Sequence, residues 1–116
     1  MSAIVRHESK EILSSAVEYN NTVYLAGITA DDSSQDAKGQ AAQILATIDR
    51  LLAKCGSNKS KVLTATIWVS DIRLRASMNE SWNAWTEGKN LPARACIEAK
   101  MADPRCLVEI MVVAAK

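Results

Sequence analysis

The sequence predicts a two-layer α+β domain, a mixed β-sheet of about six strands with two helices on one face. Three observations carry that expectation. Ala37, Ala41, Ile44, Leu45, Ile48, Leu51 and Leu52 recur at helical spacing, which gives an amphipathic helix of about five turns. A second helical pattern places Met78, Trp82 and Trp85 on one face. Between and around these helices lie segments rich in Val, Ile and Thr, the last of them the almost continuously apolar run Leu107–Val113. A chain of 116 residues, 48% hydrophobic and 23% charged, suits one domain with one core, residues 1–116.

In order along the chain, Ala3–His7 is expected to be a short edge strand. Asn20-Asn21 separates two strand-like runs, Ser15–Tyr19 and Thr22–Gly27. Asparagine tolerates positive φ, so the pair suits a two-residue type I′ hairpin turn. Ser33 with Asp36 three residues on reads as the start of the first helix, and Gly56 as its C-terminal cap. Lys61–Ser70 is a strand with Val62, Thr64, Thr66 and Trp68 on one face and Leu63, Ala65, Ile67 and Val69 on the other. Neither face is charged, so both are expected to be covered, one by helices and the other by a neighbouring chain. Asp71 caps the second helix and Gly88 ends it. Pro92 introduces a strand from Ala93 to Lys100, and Asp103-Pro104 turns the chain into the final strand.

Composition excludes several classes of function. A net charge of +1 gives no electrostatic case for nucleic acid or an anionic membrane surface. No apolar run approaches the ~20 residues needed to cross a bilayer. Residues Met1–Glu8 lack the apolar core of a signal peptide, which makes the cytoplasm the expected location. Cys55, Cys96 and Cys106 have no Cys-x-x-Cys spacing, and His7 is the single histidine. No zinc site is expected from that set, and free thiols in a reducing compartment account for it.

The chemistry-bearing candidates lie near the C-terminus. Glu109 sits in the middle of a buried strand, where a carboxylate needs a cation, hydrogen-bond donors or a bound proton. Arg94 stands among alanines and Cys96, and a guanidinium fork flanked by small side chains leaves room for a ligand carboxylate to dock two-pronged. An internal Arg94–Glu109 ion pair is the competing reading of the same residues. If the last two strands form a hairpin centred on Asp103, Arg94 and Glu109 fall on opposite faces. A centre between two residues, or a bulge, brings them together.

Thr22–Gly27, Met78-Asn79, Pro92-Ala93-Arg94-Ala95-Cys96-Ile97-Glu98 and Val108-Glu109-Ile110 resemble, in order and over nearly the whole chain, the signature segments of the RidA (YjgF) family. The Pro-Ala-Arg-small-Cys-hydrophobic-Glu segment is the specific part. The resemblance implies a chorismate-mutase-like fold, a homotrimer with sites in the clefts between subunits, and no cofactor. It further implies hydrolysis of reactive enamines and imines, such as 2-aminoacrylate and 2-iminopropanoate, to 2-keto acids and ammonia. By the same resemblance Arg94 grips the substrate carboxylate and Glu109 positions or activates water. Cys96, Asn79 and Gly27 line the pocket. The family's pocket tyrosine has no counterpart here, where Leu13-Ser14-Ser15 stands instead. Ala26-Gly27-Ile28 replaces the family's frequent Ser-Gly-Gln, and the loop Thr29–Asp36 is shorter than in the best-known members. A non-catalytic trimer binding keto or amino acids is the alternative that the same pocket allows. RNA cleavage, ascribed to some members, is disfavoured by the near-neutral charge.

Overall fold

The computed structural model describes residues 3–116, so the first two residues of the stretch examined for a signal peptide lie outside the described residues. The strands are β1 (Val5–Ser9), β2 (Ser14–Tyr19), β3 (Thr22–Leu25), β4 (Ile28–Thr29), β5 (Val62–Val69), β6 (Ala93–Glu98) and β7 (Val108–Ala115). They form one seven-stranded sheet in the order β1-β2-β3-β7-β5-β6, with the two-residue β4 also paired to β7. All neighbours are antiparallel except β5 and β6, the parallel pair joined through the second helix. Helices α1 (Ala37–Lys54) and α2 (Arg75–Thr86) cover one face.

The core is that covered face. Ala16, Val23, Leu25, Ala65, Ile67, Val69, Val108, Ile110 and Val112 project from the sheet against Ile44, Leu45, Ile48, Leu51 and Leu52 of α1 and Met78 and Trp82 of α2. Alternation along β7 puts its even-numbered residues inside and Glu109, Met111 and Val113 on the opposite face. That opposite face has no layer over it in the isolated chain. Tyr24, Ile97 and Met111 are exposed there, with Thr66 and Trp68 half-buried in the neighbouring rows.

Local chemistry explains the element boundaries. Asn20 and Asn21 both have positive φ (49° and 61°), as a type I′ turn requires, and Glu18↔Val23 and Tyr19↔Thr22 pair across it. Helix α1 starts at Asp36, whose carboxylate accepts from the Gly39 N–H, and not at Ser33, which lies in the preceding turn. It ends in a Schellman motif: Gly56 has φ 76°, its N–H donates to Ala53, and the Ser57 N–H donates to Leu52. Asp71 caps a short 3₁₀ turn, Ile72–Leu74, that leads into α2, whose end is set by left-handed Glu87 followed by Gly88.

Two pairing expectations are corrected. A register shift between Val62 and Thr64 turns Val62 inward with Ala65 and Ile67, so it does not share a face with Thr64 and Thr66. The last two strands are not a hairpin: β5 lies between β6 and β7, and β6 ends at Glu98, short of Lys100.

One non-glycine strand residue, Glu8, has left-handed φ (49°). Its carboxylate reaches Arg50 at 2.7 Å and Lys54 at 3.2 Å, fastening the β1 edge to α1. Those two cations, Arg50 foremost, hold its pKa at about 2, down from an ordinary 4.5. A depressed carboxylate pKa means that the pair's stabilisation is complete above about 4.5 and is lost as pH falls toward 2. In a pH series of denaturant unfolding, wild type should exceed Glu8→Gln in stability at neutral pH, and the gap should close across that acid window. A gap that persisted at pH 2 would show that the ionised carboxylate is not its source. Among the described residues no helix is long and apolar enough to cross a membrane.

Candidate active site

Arg94 lies on β6, one of the two edges of the sheet, and its side chain is on the helix-covered face. The row through it runs Arg94–Ala65–Val112, and both partners are buried in the core. Two groups from α2 hold the guanidinium. Its Nη1 donates to Asn79 Oδ1 at 2.7 Å, and its Cζ sits 5.3 Å from the centre of the Trp82 ring. Asn79 and Trp82 are three residues apart on α2, so they present one grip from one helix face. Cys96, two residues on, shares that side of β6 and packs against the edge of the core.

This arginine is neither paired with a carboxylate nor exposed to solvent. Arg50, Arg73 and Arg105 each pair with a carboxylate, and Arg6 and Arg75 are exposed to solvent. Arg94 is half-buried, and among the described residues no carboxylate lies within ion-pair distance. A guanidinium that has lost part of its water without gaining a counter-ion is a site for an anion. An ion pair between Arg94 and Glu109 does not form within the chain.

Glu109 belongs to another surface. Its row runs Ile97–Trp68–Glu109–Thr29, on the face that the helices do not cover. The two rows are separated along β5 by the step from Ala65 to Trp68, roughly 10 Å. Glu109 is half-buried, and its carboxylate rests against Gly27 so closely that a Cβ there would collide with Oε2. The backbone at Gly27 is outside the left-handed region, so the close approach is the reason for glycine. Leu13 and Ser15 line a recess together with Gly27 and Thr29, which places the residues that stand instead of the family's tyrosine at the Gly27 end.

The chain therefore gathers its site residues into two groups: Arg94, Asn79 and Cys96 with Trp82, and Glu109 with Gly27. Trp82 is the one that sequence reasoning assigned to packing alone. Its signal was the spacing from Asn79, with both on the helix face that meets β6. Cys96 is a free thiol, and His7 stands on β1 at the opposite edge of the sheet, so no imidazole reaches it as an activating base.

The structure also gathers potential metal ligands that spacing in the sequence had not brought together. Ligand atoms of His7, Glu18 and Cys55 lie within 4.8 Å of one another, where β1, β2 and the end of α1 converge. Glu18 already accepts from Lys116 at 2.7 Å and from His7 at 2.5 Å, and these bonds, Lys116 foremost, lower its pKa. Burial pushes the Cys55 thiol up. Within the cluster Lys116 supplies the counter-charge of Glu18.

The chain is a two-layer α+β domain with a half-buried arginine on an edge strand, and among the described residues no carboxylate pairs with it. Residues 4–116 match the family described as endoribonuclease L-PSP, and the chain belongs to that family. A RutC family protein from Haemophilus influenzae is 43% identical over 103 residues, 88% of this chain and 89% of that protein. The RutC family protein YoaB of Escherichia coli K12 is 41% identical over 112 residues, 97% of each. Among solved structures, NMB1025 from Neisseria meningitidis, a member of the YjgF family, superimposes with a TM-score of 0.95 at 40% identity, covering 98% of this chain and 95% of that one. These matches bear out the RidA/YjgF resemblance and the α+β fold.

Proposed function

We propose that this protein is a cofactor-independent deaminase of small 2-imino acids, 2-iminopropanoate and 2-iminobutanoate, working in a homotrimer. The observation that carries the reading is Arg94, a half-buried guanidinium pre-oriented by Asn79 and Trp82 and without a carboxylate of its own. A planar fork of that kind takes a carboxylate two-pronged. Family membership and the order of the motifs along this chain support the same reading.

The two groups of residues lie on opposite faces of one sheet, so Arg94 and Glu109 act on one small substrate only when they come from different copies. In that arrangement the open face of one subunit meets the β6 edge of the next. Two different surfaces meeting head-to-tail form a ring where the rotation between copies closes, and a trimer is the smallest such ring. The apolar, uncovered face with Tyr24, Trp68, Ile97 and Met111 supplies the contact.

The chemistry needs little else. Arg94 fixes the carboxylate, and the iminium carbon is already electrophilic. Glu109 of the adjacent subunit takes a proton from water as its oxygen adds to that carbon. Glu109 returns that proton to the aminol nitrogen, and ammonia leaves as the C–N bond breaks and the hydroxyl gives up its proton to form the C=O of the 2-keto acid. General-base assistance of this kind is worth ~10²–10⁴-fold. The ribonuclease activity in the family's description gains no electrostatic support from a net charge of +1.

The test generates 2-iminopropanoate in situ with an amino-acid oxidase and traps it with semicarbazide. An active deaminase competes with the trap and slows semicarbazone formation. If semicarbazone forms at the uncatalysed rate over a panel of amino-acid precursors while 2-oxobutanoate still binds, the protein is a ligand-binding trimer and not an enzyme.

Gly27→Ala separates the carboxylate's position from the fold. The new methyl displaces the end of a flexible side chain and leaves the backbone alone. Thermal stability should hold or rise slightly, since the native backbone suits alanine. Turnover should fall by about tenfold or more, because a shift of about 1 Å in a reacting group costs that much. Unchanged turnover would mean that Glu109 is not the working carboxylate.

A further inference from the structure

We propose that Gln40 is a positioning residue for Glu109, holding the two backbone segments that flank this carboxylate at a single buried amide. The inference rests on the reading of Glu109 as the water-activating group.

Gln40 is fully buried on α1, which is unusual for a glutamine, and every one of its polar contacts is to backbone. Its Nε2 lies 3.2 Å from the Ser33 carbonyl, 3.0 Å from that of Gln35 and 3.1 Å from that of Arg105. Two protons are shared among three acceptors, so the amide is saturated. Its Oε1 accepts from the Leu107 N–H at 2.8 Å.

Those partners belong to the two stretches that frame Glu109. Ser33 and Gln35 lie in the loop that leaves β4, and β4 is the strand whose Thr29 pairs directly with Glu109. Arg105 and Leu107 lead into β7, and Leu107, which packs against the core, stands two residues before Glu109. The Leu107 carbonyl is also engaged, accepting from the Ser70 N–H at 3.0 Å. Both backbone groups of Leu107 are thus fixed, and one of the two anchors is the Gln40 side chain.

A glutamine that served only to fill the core would be replaceable by an apolar chain of the same length at a cost in stability alone. Here the same amide joins loop to loop across the end of β7, and the group whose placement depends on that junction is Glu109. None of the hydrogen bonds of the Gln40 side chain goes to the arginine clamp, which is built from β6 and α2.

The test compares Gln40→Met, which keeps length and removes all four hydrogen bonds, with Gln43→Ala. Gln43 makes the other amide contacts to the same loop, a reciprocal pair with the Asp32 backbone on the exposed side. Assays run well below both melting temperatures. In Gln40→Met, kcat should fall by about ten- to a hundredfold with KM within about twofold of wild type, since the carboxylate shifts while the clamp stands. Gln43→Ala should lower the melting temperature and keep kcat.

A second readout does not depend on turnover. The side-chain carboxyl carbon of Glu109, followed by ¹³C NMR, should change shift in Gln40→Met and hold in Gln43→Ala. If wild type proves inactive, the deaminase reading fails and the NMR comparison alone decides the positioning role. A Gln40→Met protein that melts lower but keeps kcat and the Glu109 shift overturns the proposal. So does an equal fall of kcat in both variants.

Discussion

Replacing Arg94 with alanine should lower kcat/KM for 2-iminopropanoate by ~10³-fold or more, equivalent to about 4 kcal/mol of transition-state stabilisation. The basis is that the guanidinium has no carboxylate of its own among the described residues, and a charge-assisted two-pronged pair in a partly dry cleft has no substitute once removed. The fold should tolerate the change. Arg94 gives up one hydrogen bond to Asn79 and one contact with the Trp82 ring, interactions of about 1 kcal/mol each, and the desolvation of an unpartnered cation is relieved at the same time. Stability within about 1 kcal/mol of wild type and unchanged oligomeric mass are therefore expected.

Arg94→Lys sharpens the result. It keeps the charge and loses the planar fork and the stacking on Trp82, so activity should stay closer to the alanine variant than to wild type. The measurements are steady-state deamination, circular-dichroism melting and light scattering on the same preparations. An alanine variant that keeps more than a tenth of wild-type kcat/KM would remove Arg94 from the mechanism.

How much of this was legible in the sequence depends on the range over which each feature is determined. The α1 stripe, the Asn20-Asn21 turn and the Gly56 cap are fixed by neighbours within a few residues, and all three stand as read. The β5 bulge and the start of α1 are local too, but small. Leu63 can be accommodated by a register slip without any change in composition, and Ser33 competes with Asp36 as a cap on nearly equal terms.

The relation of Arg94 to Glu109 was not legible, because strand order is a property of the whole sheet. Reading β6 and β7 as neighbours follows from a turn-like Asp103-Pro104 between them. Yet β6 pairs in parallel with β5 and β7 takes the other side of β5. The hydrophobic pattern of β7 is the same under either arrangement, so periodicity carries no information about it. Gln40 escaped notice for a related reason. At its position in α1 it interrupts an apolar stripe, and the carbonyl of Arg105 and the N–H of Leu107 that satisfy it are far away in sequence. A polar residue on a core stripe is itself the signal that partners wait elsewhere.

The opposed placement of Arg94 and Glu109 makes a prediction that no single-copy site would share. Arg94→Ala and Glu109→Gln proteins should each be nearly inactive alone. Mixed one to one, dissociated in mild denaturant and reassociated, they should recover activity. A site drawing its arginine from one subunit and its glutamate from the next is intact when a Glu109→Gln copy supplies the first and an Arg94→Ala copy the second. With random assortment that occurs in about a quarter of the sites of a ring, so recovered kcat should approach about a quarter of wild type. KM at those sites should be that of wild type, since both residues are native. If Arg94 and Glu109 worked within one chain, every chain in the mixture would carry one defect and no site would be whole. Recovery would then stay at the sum of the two residual activities, and the head-to-tail assembly would have to be abandoned. The double variant Arg94→Ala/Glu109→Gln mixed with wild type is the matching control. It adds no complementing pair, so activity should fall with dilution and never rise above the wild-type share.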